Sequence, residues 1–342
     1  MRVALRVDAS SEIGAGHVMR CLALADALVG RGHLPEFVSQ SLPGNLIEEI
    51  RRRGYQCVAL EPPLNDEKAD WQACYAALGR VPDWLIVDSY LLGADWESAA
   101  AAIGARVLAI DDGGVRPHVC ELILDHNQIP GSAARYSQSA PGAKQLIGPQ
   151  YALLRSEFVL AARRVGLPAD VVSTLLVCFG GADPKNATLH TLSAIADLLP
   201  AELQLQVVVG KAYQKLPELQ EIARRMNACV WCQPPNLPEL YAAADLAIGG
   251  GGVSALERCA LGVPSIVMTI ADNQHEATVG LAEAGALLFA GAADNEGIQH
   301  MCRLLQNCLA DPLIRQSVVA SGRALVNVDG ATNVVRHLEM LH

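Results

Sequence analysis

Short apolar runs rich in Val, Leu and Ile alternate along this chain with longer stretches of helical period, and that rhythm limits what it can fold into. The strand-like runs of the first half are RVALRVD, EFVS, CVAL, WLIVDS, RVLAIDD and LILD. Helical stretches from about Gly16, Pro43, Glu67 and Asp95 separate the earlier of them. Runs of this kind joined through helices predict parallel strands covered on both faces. A loop-rich stretch near residues 126–155 breaks the rhythm, which restarts with STLLVCFGGADP, LQLQVVVG, ACVWCQPPN, ADLAIGGGG and VPSIVM. Helical pattern then fills the chain from about Glu296 to His342. The expectation is an α/β protein of two Rossmann-like domains facing a central cleft. Their bounds are residues 1–155 and 156–325, and a C-terminal helix at 326–342 packs back on the N-terminal domain.

At 342 residues the chain exceeds what one ordinary core supports, which agrees with two domains. Hydrophobic residues make up 51% and aromatics only 4%, a composition suited to Val-rich strands under Ala/Leu helices. The net charge of −10, with no basic run, repels nucleic acid and anionic lipid, so neither is an expected partner. Most of the ten cysteines lie in apolar runs, as small buried hydrophobes do in a reducing compartment. The pair Cys229 and Cys232 has no second pair to complete a zinc site and is read as core. MRVALRVDAS reads as a strand rather than a signal peptide, and no apolar run reaches the ~20 residues that span a bilayer. The expectation is a cytoplasmic, soluble monomer without a membrane segment.

Ligands of open α/β sheets bind outside the carboxyl ends of the strands, so the chemistry is sought at strand-to-helix turns. The first is RVDASSEIGAGH, where Gly14 and Gly16 lead into a helix carrying His17 and Arg20. The helix dipole there favours the uncharged ring that a general base needs. Arg20 shares the face of His17 and can meet an anion. Alternatively, His17 merely occupies an N-terminal helix position.

Next comes IGGGGVSALERCALG, in which Gly249, Gly250, Gly251 and Gly252 follow a strand and open a helix bearing Ser254 and Glu257. Free amides at a helix start form an anion site without any cation, and a carboxylate one turn on can accept both hydroxyls of a ribose. A glycine turn used only for close packing is the plain alternative. In MTIADNQHEA, Asp272, Asn273 and Gln274 start a further helix, as caps or as amide donors to a phosphate. CFGGADPKNAT places Gly180, Gly181 and Asp183 at another turn, toward a diphosphate or a sugar. Asp8, Asp88 with Ser89 and Tyr90, and Asp111 with Asp112 end N-terminal strands. Any of them can orient His17 or hold substrate hydroxyls; spacing does not choose, and capping is the default.

No P-loop lysine, HExxH or G-x-S-x-G motif is present, and no D-x-D metal motif is evident. No cofactor and no metal are expected; a leaving diphosphate must be met by amides, Asn and Arg.

The opening block RVDASSEIGAGHVMRCLALADAL resembles that of the UDP-sugar hydrolase family of pseudaminic acid biosynthesis, enzymes with the GT-B fold. GPQYALLR, FGGADPKN, GGGGVSALERCALGVPSI and ADNQ resemble further blocks, so the likeness runs over nearly the whole chain. It implies metal-free hydrolysis of UDP-2,4-diacetamido-2,4,6-trideoxy-β-L-altropyranose to UDP and the free sugar. It implies His17 as the base for water, Asn273 and the Gly249 to Gly252 turn as holders of the diphosphate, and Glu257 as ribose ligand. Ser89, where the family has a histidine before the tyrosine, and Gly113–Gly114, after the Asp pair, depart from the pattern and bear on which sugar is bound. Two other readings are a GT-B glycosyltransferase using a UDP-amino sugar, which needs an acceptor surface, and a nucleotide-sugar-binding module without chemistry, which leaves His17 unused.

Overall fold

The computed structural model describes residues 1–62, 66–163, 166, 169–181 and 183–342. Its first sheet holds β1 (Arg2–Val7), β2 (Leu34–Gln40), β3 (Gln56–Leu60), β4 (Trp84–Asp88), β5 (Arg106–Ile110), β6 (Leu122–Asp125) and β7 (Lys144–Ile147). Its second holds β8 (Thr174–Cys178), β9 (Gln204–Val209), β10 (Cys229–Cys232), β11 (Leu246–Gly250), β12 (Ser265–Thr269) and β13 (Leu288–Ala292). The orders are β3-β2-β1-β4-β5-β6-β7 and β10-β9-β8-β11-β12-β13, and the pairs are parallel. The α/β reading from the sequence therefore holds: two doubly wound sheets carry helices between their strands. Each order reverses once, between β1 and β4 and between β8 and β11, and it is at such reversals that open sheets bind ligands.

The chain divides into two compact units. One comprises Met1–Asn127, Gly131–Ser156 and Asp329–His342; the other comprises Gln128–Pro130 and Glu157–Val328. In the first, the helix Gly16–Gly30 buries Val18, Cys21, Leu22, Ala25 and Leu28 against Leu5, Val7, Trp84 and Ile86. Val334, Val335 and Leu338 of the helix Gly330–Leu341 complete that layer. Each such Leu or Ile removed from water contributes about 1.5–3 kcal/mol. On the other face the helices Glu67–Leu78 and Ala94–Ala102 cover Ala4, Leu85, Val87, Val107 and Ala109. The second unit packs Leu175, Val177, Ile248, Ile266 and Met268 under its own helices.

Two expectations change. Residues 126–155 are rich in loop but not loop throughout: they hold the helix Ser132–Ser139 and β7, whose short KQLI run has only two apolar residues. Cys229 and Cys232 are exposed rather than core, because β10 is the edge strand of its sheet. No helix among the described residues is long and apolar enough to cross a membrane.

Candidate active site

In the first unit, strand alternation decides which carboxylates meet the helix Gly16–Gly30. Side chains two apart along a strand share a face. Trp84 and Ile86 face that helix, so Asp88 does too; Leu108 and Ile110 place Asp112 on the same side. Ala4 faces the other way, and Arg6 and Asp8 follow it.

The helix begins after a tight turn in which the Gly14 amide donates to the Ser10 carbonyl at 2.9 Å, with Gly14 at φ 82°. His17 therefore sits in the first helical turn, 9% exposed. Its Nδ1 lies 2.6 Å from Asp88 Oδ1. A carboxylate only accepts, so Nδ1 carries the hydrogen and Nε2 is the nitrogen left to take a proton. Nε2 makes no hydrogen bond among the described residues. The Tyr90 ring meets the imidazole edge-on, with centroids 4.8 Å apart.

Asp88 is itself held by Arg20, whose Nε and Nη2 donate to its two oxygens at 2.7 Å each. Arg20 also donates from Nη1 and Nη2 to Asp112 at 3.0 and 3.2 Å. The expectation that Arg20 meets a substrate anion gives way: its guanidinium is buried and committed to two carboxylates. Burial opposes the charge on Asp88, but Arg20 and His17 outweigh it and hold the carboxyl well below the ordinary range. Asp112 is half-buried, and Arg20 outweighs its desolvation and holds it at about 2. The Tyr90 hydroxyl donates to Asp112 Oδ2 at 2.7 Å, and Asn127 Nδ2 donates to Oδ1 at 2.7 Å.

Asp8 lies in a different network, on the opposite face. It accepts from Arg6 and from the Gln40 amide at 2.7 Å each, while Arg6 also grips Asp70. Nothing there brings it to His17. Asp111 joins the same opposite face, where it accepts from Arg116 at 2.6 Å and from Tyr136 at 3.0 Å. His118 sits between Glu97, at 2.7 Å, and Asp111, at 3.6 Å.

Burial opposes a charge on His118, but Asp111 and Glu97 outweigh it and raise its pKa from 6.5 to about 9. The stabilisation from this raised group is complete below pH 6.5 and is lost as pH climbs through 9. The urea midpoint of the protein should therefore fall across that window, by on the order of 3 kcal/mol in unfolding free energy, and His118→Gln should flatten the slope. A parent profile already flat between pH 6.5 and 9 would remove His118 from the account.

Sequence reasoning missed Asn127, His126, Asp125 and Tyr136. LILDHN does end a strand in an acidic residue, but it sits at the head of the stretch read as loop. Burial, then the Asp112 charge, raises Asp125 to about 6. Burial, then Arg20, lowers His126 to about 4.

The second unit carries the glycine turn. Gly249 and Gly250 belong to β11, so only Gly251 and Gly252 form the turn into the helix Val253–Leu261. A Cβ at Gly251 would lie 2.4 Å from Thr278 Oγ1 and 3.2 Å from Gln274 Cβ. Gly252 adopts φ 74°, the left-handed region. The Gly251–Gly252 and Asp272–Gln274 turns thus lie side by side at the carboxyl ends of β11 and β12. Arg258, buried in that helix, donates from Nη2 to the Gly250 carbonyl at 2.6 Å and fixes the turn from below. Ser254 Oγ donates to the Gly251 carbonyl at 3.2 Å, and Glu257 is 4% exposed. Gln274 Oε1 accepts from the Ile270 amide at 3.1 Å, while Asn273 is exposed. The carbonyl oxygen of Gly181 packs so tightly on Gly210 that a Cβ there would lie 2.2 Å from it. Asp183 caps the helix Ala187–Ile195, accepting from two of its amides at 2.8 Å. Among the described residues no group of three His, Cys, Asp or Glu side chains is arranged to hold a metal ion.

No protein-family model matches the chain. Over 233 residues it is 29% identical to the UDP-2,4-diacetamido-2,4,6-trideoxy-beta-L-altropyranose hydrolase of Campylobacter jejuni, covering 66% of this chain and 76% of that protein. The chain is a relative of that hydrolase. Along its full length it is also 25% identical to the spore coat polysaccharide biosynthesis protein SpsG of Bacillus subtilis, covering 99% of it. Among solved structures it superposes on MurG of Acinetobacter baumannii with a TM-score of 0.67, at 17% identity and 99% coverage of both chains. The fold is GT-B.

Proposed function

We propose that this protein hydrolyses the glycosyl C–O bond of UDP-2,4-diacetamido-2,4,6-trideoxy-β-L-altropyranose, a step of nonulosonic acid biosynthesis, without a metal. The coarser reading, an enzyme of nucleotide sugars, is supported by the Campylobacter relative. Hydrolysis itself is supported by one observation above the rest: His17 is oriented by a buried carboxylate at 2.6 Å and keeps Nε2 for a proton.

In this reading Nε2 takes a proton from water as the water oxygen bonds to the anomeric carbon. The bond from that carbon to the diphosphate oxygen breaks, and its electron pair leaves with UDP. Asp88 stabilises the imidazolium so formed, as a buried carboxylate does in other base pairs of this kind. The amides of the Gly251–Gly252 turn and the Asn273 side chain meet the diphosphate, where fixed donors stabilise charge without reorganising.

Phosphorus NMR of the purified protein with this substrate, in ¹⁸O water and with EDTA, tests the reading. The expected result is unlabelled UDP with the label in the free sugar. Labelled UDP, or UMP with sugar phosphate, means attack at phosphorus and overturns it. Turnover that begins only when an acceptor is added would instead favour a transferase.

A further inference from the structure

Beside Tyr90 the first unit has a cavity of about 260 Å³ that the mechanism above does not use. Its walls include Glu67, Tyr90, Leu91, Ala94, Arg116 and Pro117. It is smaller than the ~300 Å³ that encloses a whole drug-sized ligand, but it has room for a substituent of one. Tyr90 is common to the cavity and to the base, since its ring also meets His17 edge-on.

The polar groups at the wall can be counted. A guanidinium has five N–H donors. In Arg116, Nε and one hydrogen of Nη2 go to Asp111, and Nη1 goes to the carbonyls of Ser89 and Leu92. One Nη2 hydrogen is left among the described residues. Glu67 Oε2 accepts from the Gly93 and Trp96 amides at 3.1 and 2.8 Å, so it is spent on the start of the next helix. Oε1 makes no hydrogen bond among the described residues. The cavity therefore offers the Arg116 donor, acceptors on the Glu67 and Asp95 carboxylates, and apolar surface from Leu91, Ala94 and Pro117. A hydroxyl needs less than this, and a phosphate would meet the Glu67 carboxylate as a like charge. A secondary amide ending in a methyl group uses the Arg116 donor, the Glu67 acceptor and the apolar wall together, and leaves the exposed Asp95 to solvent.

We infer that this cavity receives an acylamino substituent of the sugar, with Arg116 donating to its carbonyl and Glu67 accepting from its N–H. The inference rests on the nucleotide-sugar reading above and makes these two residues specificity-determining.

The test uses the diacetamido substrate and two analogues, each with one acetamido group replaced by hydroxyl. The parent should prefer the full substrate over one of the analogues by ~10–100-fold in kcat/KM, the range for losing a hydrogen-bonded amide from a site built for it. Glu67→Gln keeps an acceptor for the two helix amides but turns an NH2 group toward the ligand. That preference should then fall to near one. Leu91→Trp, at a residue 76% exposed, fills the cavity without burdening the fold and should do the same. Equal losses on all three substrates, or an undiminished preference, would overturn the inference. Should the parent turn over none of these UDP-sugars, the proposed reaction has failed, but the cavity has not. Saturation-transfer NMR on the free diacetamido sugar then decides. Transfer to one acetamido methyl, weakened in both variants, upholds the subsite; none in the parent overturns it.

Discussion

His17→Ala is expected to lower kcat by ~10²–10⁴-fold while UDP affinity stays within ~2-fold, because the variant loses the proton acceptor and touches nothing in the glycine turn. Among the described residues His17 makes no ion pair other than with Asp88 and one further polar contact, with Arg20 Nη2 at 3.2 Å, so the variant should fold. Asp88→Asn carries the same test one atom further. An amide can donate to Nδ1, which moves the ring hydrogen to Nε2 and leaves no acceptor for water. Its kcat should approach that of the alanine variant although His17 is intact. Quenched assays for released UDP, with calorimetric titration of UDP, read both quantities. Turnover of His17→Ala within ~3-fold of the parent would remove the residue from the mechanism.

The largest effect on stability is expected at Arg20. Arg20→Met leaves Asp88 and Asp112 facing one another around a buried methyl group, with no cation between them. Breaking a buried pair by removing one partner costs about 3–5 kcal/mol, which for a unit of this size lowers Tm by roughly 10 °C. The pH dependence has a definite sign. Both carboxyls are held below their unfolded values by Arg20, so their stabilisation is present above about pH 4 and lost as the pH falls. Parent and variant should differ most near neutrality and converge in acid. Arg20→Lys, which keeps the charge but loses the two-pronged fork, should fall between them. Thermal melts of the three proteins at pH 7 and near pH 2 measure this. A methionine variant melting within ~2 °C of the parent at pH 7 would show that the cluster contributes little.

Much of the architecture is legible in the sequence because buried parallel strands announce themselves. WLIVD and TLLVC are apolar on both faces and RVALRV on one, and each is followed by helical period. Two strands escape that signal for physical reasons. In β7 the first two residues are Lys and Gln, and the strand closes the edge of its sheet. In β13 a glycine interrupts a half-buried run where the pairing to β12 slips register.

The site divides in the same way. His17 and the glycine turn stand out as side chains and backbone at strand-to-helix junctions. Which carboxylate orients His17 does not, since Asp8, Asp88 and Asp112 all end strands. The answer depends on β4 lying next to β1 and on which face each strand turns to the helix, and pairing across more than eighty residues leaves no local trace. Asn127 is hidden for a similar reason: its partner Asp112 is fifteen residues back, just past the end of the neighbouring strand.

The helix Gly330–Leu341 also bears on how the protein is made. Domains commonly finish folding in the order in which they leave the ribosome. Here the first unit cannot, because Val334, Val335 and Leu338 belong to its core. They emerge about 180 residues after Ser156, where the rest of that unit ends, a delay of roughly 10–35 s at ordinary elongation rates. Throughout that interval the outer apolar stripe of the His17 helix is open to solvent and to other nascent chains. The unit carrying the proposed base thus becomes whole only after the second unit has been made.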